Sequence, residues 1–281
     1  MLAIVIIHVL AALIAIAGGL GGATIGGWPL MSIAVGLAML IQWLAFIPAY
    51  LYQTERYYDL TGSLTFIWVT LFVLFARGTF DWRSLLLAAA IVLWAGRLGS
   101  HLFARILQDG SDSRFDKIKP SAVLFLRTWS LQGLWVAVTA GAALAALGTS
   151  VPTPLGWVGV LGFAIFLLGF VIETIADTQK RQFCAAHGSG HFITTGLWSW
   201  SRHPNYVGEI TLWLGIAVLA WPALQGWQLA TLISPLFVYV LLTRISGVPL
   251  LERKADRHWG EDANYQAYKR ATPVLFPWGG R

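Results

Sequence analysis

Charge is scarce in this chain: Asp, Glu, Lys and Arg make up 11% of its 281 residues, where a soluble domain carries about 25%. Too few polar side chains remain to cover a water-exposed surface, so the bilayer has to be the solvent for much of the chain. Cysteine is nearly absent, and the lone Cys184 excludes an intramolecular disulfide framework and any multi-cysteine metal site. No acid precedes Glu55 and no Lys or Arg precedes Arg56. The first apolar run therefore lacks the basic flank of a cleaved signal peptide. No Gly-x-Gly-x-x-Gly follows a strand pattern, which excludes a soluble dinucleotide fold. Low-complexity linkers and an internal repeat in register are also missing.

What is present is a series of apolar runs, each near the ~20 residues that a bilayer requires. They are Leu2–Leu20, Trp28–Leu51, Gly62–Ala76, Ser84–Leu107, Ala122–Leu147, Leu155–Ala176, Tyr206–Trp221 and Trp227–Ile245. The expectation is an all-α polytopic bundle of seven to eight spans, with the third and seventh runs short. Fifteen Trp and eight Tyr suit long interfacial belts. Basic residues decide the orientation. One set of loops and the C-terminal tail hold fourteen of them, from Arg56 to Arg281, and the alternating loops hold only Arg77 and Arg83. That asymmetry predicts both termini in the cytoplasm and an even number of spans. It also accounts for the net charge of +6 without a nucleic-acid partner.

Polar residues inside the apolar runs are costly and are functional candidates by default. Arg97, His101 and Arg105 stand at i, i+4, i+8; Glu173, Asp177 and Arg181 repeat the spacing; Asn205 and Glu209 are i, i+4. Such spacing places each set on one helix face. Gln53, Glu55 and Asp59 join them from the second loop. Interhelical salt bridges explain Arg105 and Arg181 as readily as a site does. Two acids on one face, Glu173 and Asp177, repel and need a cation, a donor or a ligand. His8 reads as a packed histidine, and Arg127 and Arg244 read as interfacial anchors. The segment His187–Glu209 is rich in Gly, aromatic and polar residues, and Pro204 suits the first position of a helix. A helix N-terminus beside Arg202 and His203 favours anions such as phosphate. His187, His191 and His203 lack an acid at ligand spacing, so no metal site is expected.

Gly196-Leu197-Trp198, Ser201-Arg202-His203-Pro204-Asn205-Tyr206 and Gly208-Glu209 resemble the steroid 5α-reductase superfamily, in its branch of bacterial members of once unknown function (the DUF1295 type). Glu173 to Arg181 resembles that family's helix ending in Asp and Arg. Gln53-Thr54-Glu55 resembles its Gln-Glu pair, and Arg97 to Arg105 its nicotinamide-side helix. The resemblance implies a single membrane reductase domain over 1–281, with 1–51 as N-terminal spans and 52–281 as catalytic core, and a cofactor cavity open to the cytoplasm. It implies NADPH-dependent reduction of the 4,5 double bond of a 3-oxo-4-ene steroid or similar apolar enone entering from the lipid. Gln53 and Glu55 would polarise the carbonyl, Glu55 acting as donor only if burial keeps it protonated. Cofactor contacts would fall on Arg97, His101, Arg105, Arg114, Lys119, Asp177, Arg181, Trp198, Arg202, His203, Asn205, Tyr206 and Glu209. The Arg-His-Pro-x-Tyr-x-Gly signature is shared with isoprenylcysteine and phospholipid methyltransferases, so an S-adenosylmethionine-dependent methyltransferase is the alternative. A monomer in a bacterial inner membrane, in contact with its lipids, is expected.

Overall fold

In hydrocarbon an apolar run of this length has one open form, the α-helix, which closes its backbone hydrogen bonds within a single segment. The computed structural model describes residues 1–188 and 190–276. Among them are eight helical segments long and apolar enough to cross a membrane, as expected of an integral membrane protein. Arg281, counted above with the tail bases, lies outside the described residues.

The helices are α1 (Leu2–Gly19), α2 (Leu30–Leu51), α3 (Tyr58–Arg77), α4 (Trp82–Asp109), α5 (Ala122–Thr139), α6 (Gly141–Leu147), α7 (Gly156–His187), α8 (Pro204–Ala220), α9 (Ser234–Val240), α10 (Val248–Trp259) and α11 (Ala263–Ala271). A two-stranded hairpin, β1 (Thr24–Ile25) and β2 (Trp28–Pro29), joins α1 to α2 and turns on Gly26 and Gly27 at φ 57° and 83°. Several apolar runs differ from their helices, and the eighth divides into the 3-10 turns of Gly226–Ile233, α9 and a π turn over Leu241–Ile245. The third gains a first turn, because Tyr58 donates to the Thr128 carbonyl at 3.0 Å and its ring packs on Phe115 and Trp129. The sixth continues past Ala176 to His187, since a helix outlasts its apolar stripe when its polar turns are held. The fifth divides at Ala140, and the small-residue helix α6 that follows is buried along its whole length.

Two compact units divide the chain: Met1–Phe163 with Ile216–Ser234, and Ala164–Gly215 with Pro235 onward. In the first unit α2 packs on α3 and α5, α3 packs on α4, and α1 lies against α2, α5 and the 3-10 turns of Gly226–Ile233. Small residues bring these helices close: a Cβ on Gly133 would meet Met39 Sδ at 2.6 Å. Val5, Val9, Leu13 and Ile16 of α1 are each more than half exposed, an apolar face suited to lipid. In the second unit α7 and α8 cross backbone to backbone. A Cβ on Gly169 would meet Leu212 N at 2.4 Å, and one on Gly208 would meet Glu173 N at 2.5 Å. Such approach is open only to glycine.

Arg83 shows how the fold treats a buried cation. It is 3% exposed, and its guanidinium donates to four backbone carbonyls: Thr153 (3.4 Å), Pro154 (2.5 Å), Leu155 (2.7 Å) and Leu219. The planar fork of Arg reaches all four at once, which a lysine ammonium cannot do. Arg83→Lys is therefore expected to destabilise the protein by roughly 3 kcal/mol through carbonyls left unpaired. Thermal unfolding in detergent checks this, and an unchanged midpoint would refute the bridging role.

Candidate functional site

The polar residues singled out above fall into two clusters, one in each unit. In the first unit the linker between α2 and α3 carries Gln53 and Glu55. A buried apolar cluster of Ala49, Phe115, Phe125 and Trp129 holds the end of α2 against the 113–118 turn and α5. Glu55 is 5% exposed and accepts from the Asp112 backbone N–H at 2.8 Å and from Lys119 Nζ at 2.5 Å. Burial alone would raise its pKa. The Lys119 hydrogen bond and the Asp112 N–H outweigh burial and hold the carboxyl below its ordinary range. Glu55 is thus an ionised acceptor here, and burial does not keep it protonated.

Gln53 does not share those partners. It is the one non-glycine residue at positive φ (50°) among the described residues, it lies two residues past the end of α2, and its exposed amide donates to the Tyr50 carbonyl at 2.7 Å. Arg114 and Arg105, near this linker, also come with acids. Arg114 grips Asp112 through Nε and Nη2, which outweighs burial and lowers the Asp112 carboxyl, and that same hydrogen bonding raises Arg114 against the opposing effect of its burial. Arg105 Nη2 lies 3.8 Å from Asp59 Oδ2. Arg97 and His101 are half-buried, two turns and one turn before Arg105 on α4.

In the second unit the chain leaving α7 is fastened at several points before it enters α8. Gly196, at φ 62°, sits against the Gln179 side chain, whose Oε1 accepts from the Leu197 N–H at 3.0 Å. Trp198 is buried and donates to the Ala176 carbonyl at 3.1 Å, with Lys180 Nζ 5.0 Å from its ring. The Tyr268 hydroxyl donates to the Trp198 carbonyl at 2.6 Å, and the Arg202 N–H donates to the Pro273 carbonyl at 2.9 Å. The C-terminal segment thus fixes the Arg202-His203-Pro204 turn in place.

Glu252 of α10 closes this arrangement. Its Oε1 lies 2.8 Å from His203 Nε2 and its Oε2 2.5 Å from Arg202 Nη1, and Lys269 stands 4.0 Å away. Tyr206 stacks on the His203 ring at 5.6 Å and 14°. Pro204 opens α8, as its missing N–H favours. Two buried polar atoms at this turn have no hydrogen-bond partner among the described residues: the donor Arg202 Nε and the acceptor Asn205 Oδ1. Burying such atoms unpaired costs on the order of 1–3 kcal/mol each. A ligand that offers one acceptor and one donor would relieve both. Further along the same unit Glu173 is buried, Asp177 and Glu209 are half-buried, and Arg181 is exposed.

The structure therefore gathers Glu55 and Lys119 with Arg114 and Arg105 nearby, and separately gathers Arg202, His203 and Tyr206. It does not pair Gln53 with Glu55. Two acids that complete the clusters, Asp112 and Glu252, were not legible as site residues. The nearest signals were the local Asp112-x-Arg114 spacing and an i, i+4 pair of acids, Glu252 and Asp256, within a basic tail.

A family model described as "Protein of unknown function (DUF1295)" matches residues 45–272. The chain is 29% identical over 117 residues to the 3-oxo-5-alpha-steroid 4-dehydrogenase 1 of Rattus norvegicus, 28% to that of Mus musculus and 25% to that of Bos taurus. Each match covers 41% of this chain and 40% of the relative, so the chain spans about two fifths of the length of these proteins. No solved structure shows a significant match.

Two outcomes test the first cluster. A depressed folded-state pKa contributes stability above the unfolded value, near 4.3 for Glu, and loses it as pH falls through the folded value. Glu55→Gln is thus expected to cost about 2–3 kcal/mol near pH 7, with the difference shrinking as pH falls below the ordinary Glu value and through the lower folded one. Melting curves across pH read this, and a deficit independent of pH would refute the ionised state. Gln53→Gly, which relieves the left-handed backbone, is expected to leave stability unchanged or raise it by up to about 1 kcal/mol. A loss larger than that would mean the amide holds the turn.

Proposed function

The chain belongs to the DUF1295 family, and from that premise we propose that it is a membrane oxidoreductase that reduces a double bond conjugated to a ketone, with NADPH as the reductant. The substrate class is a 3-oxo-4-ene steroid or a similar apolar enone, after the printed names of the relatives. The observation that carries this reading is the turn into α8, where Arg202 Nε and Asn205 Oδ1 lie buried and unpartnered beside the His203–Glu252 contact. A dinucleotide offers both kinds of group: phosphate oxygens for the arginine, and hydroxyl or carboxamide protons for the asparagine. The N-terminus of α8 adds favourable dipole charge for a phosphate.

NADPH supplies the hydride when bound. The work left to the chain is to hold, orient and keep dry. Glu252 positions Arg202 and His203; Trp198, His203, Tyr206, Asp177, Arg181 and Glu209 are the further proposed contacts in the same unit. Gln53 and Glu55 are the proposed carbonyl-polarising pair. With Glu55 ionised and engaged by Lys119, the donor of that pair is Gln53, whose amide has only its own turn to release. A donor aimed at a developing enolate accelerates such a reaction most where water is excluded. The same reading takes the chain as a single membrane domain, with both termini on the side of the basic loops, in a bacterial inner membrane.

Detergent-purified protein is to be challenged with NADPH, NADH and S-adenosylmethionine side by side, following the thermal midpoint. NADPH is expected to raise it, and Asn205→Ala to weaken that response roughly tenfold, the worth of one hydrogen bond. Gln53→Gly is expected to keep the NADPH response and lose turnover of a 3-oxo-4-ene steroid. A response to S-adenosylmethionine alone would replace this reading with the methyltransferase.

A further inference from the structure

The two faces of α10 carry opposite charge. Glu252 and Asp256, at i and i+4, are both engaged within the second unit: Glu252 by Arg202 and His203, Asp256 by Lys269 Nζ at 2.6 Å. Arg253 and Arg257 repeat the i, i+4 spacing one residue on, and Lys254 stands beside them; all three are exposed. Among the described residues none of these three bases has an acid partner. Arg253 Nε and Arg257 Nε donate only to the carbonyls of Pro249 and Arg253, one turn back on the same helix. Leu250, 41% exposed, continues this face toward the start of α10.

The location makes this face more than a solvated charge run. The last apolar run ends at Ile245, and only Ser246 and Gly247 separate it from Val248. From Val248 to Arg257 the helix advances about 14 Å. Even a helix standing straight out of the membrane would keep these bases within about a headgroup layer and one Debye length of its surface. Bases clustered directly beyond a membrane span, with an exposed Leu on the same face, match the charge and the apolar edge of an anionic lipid surface. We propose that the outer face of α10 binds the headgroups of anionic phospholipids through Arg253, Lys254 and Arg257. Lipid held there would anchor the helix whose inner face presents Glu252 to Arg202 and His203. The proposal requires nothing of the reductase reading.

The test uses the full chain in mixed micelles, titrating phosphatidylglycerol against phosphatidylcholine and following the thermal midpoint. Phosphatidylglycerol is expected to stabilise the protein beyond phosphatidylcholine. The triple variant Arg253→Gln, Lys254→Gln, Arg257→Gln is expected to respond to it on the order of 100-fold more weakly, while melting like the parent in phosphatidylcholine alone. A charge-keeping variant, Arg253→Lys with Arg257→Lys, should retain the response, as should Arg56→Gln with Lys117→Gln, which removes exposed bases elsewhere. Five results would each overturn the proposal: no preference for phosphatidylglycerol in the parent, an undiminished response in the triple variant, equal loss in the Arg56/Lys117 variant, loss in the charge-keeping variant, or an equal shift from inorganic phosphate.

Discussion

A solvent that forms no hydrogen bonds leaves the protein to satisfy its own polar groups, and most of this structure follows from that constraint. The backbone answers it by remaining helical over long stretches. Side chains answer it by pairing. Arg83 is surrounded by carbonyls, and Glu55 sits between a lysine and a backbone N–H. Against that background, Arg202 Nε and Asn205 Oδ1 stand out because they lie at a single turn between two helices, one a donor and the other an acceptor.

The two clusters use their charges differently. Around Glu55, Arg114 and Lys119 are each matched closely by an acid, and an incoming anion would have to displace a carboxylate to reach either. Around Glu252 one carboxylate serves both Arg202 and His203, so the arginine keeps donor capacity to spare. Geometry thus favours the second cluster for binding an anionic group and the first for fixing the linker between α2 and α3.

Much of the architecture was legible in the sequence, because a bilayer imposes a length that composition alone reveals. The apolar runs became the spanning helices, and the motif from Gly196 to Glu209 became the fastened turn into α8. The boundaries that differed did so for local reasons. Tyr58 starts α3 by its hydroxyl and ring contacts, and α7 runs on to His187 through polar turns that a hydropathy reading ends early. The charge pairing was not legible, since Glu252 lies 49 positions from His203 and sequence spacing carries no signal across such a separation. The separate partners of Gln53 and Glu55 likewise lie at Tyr50, Asp112 and Lys119, the last two 57 and 64 positions from Glu55.

The glycine crossing of α7 and α8 bears on the entropy of ligand binding. With Gly169 and Gly208 in backbone contact, no layer of side chains lies between the two helices to slide or repack. The residues from Gly190 to His203 lead into α8, whose crossing with α7 is already fixed within this unit. A loop with free ends loses closure freedom when a ligand orders it, whereas one with anchored ends has surrendered that freedom on folding. Whatever binds at the turn into α8 therefore meets a partly prepaid conformational cost, and more of its contact energy is left to appear as affinity.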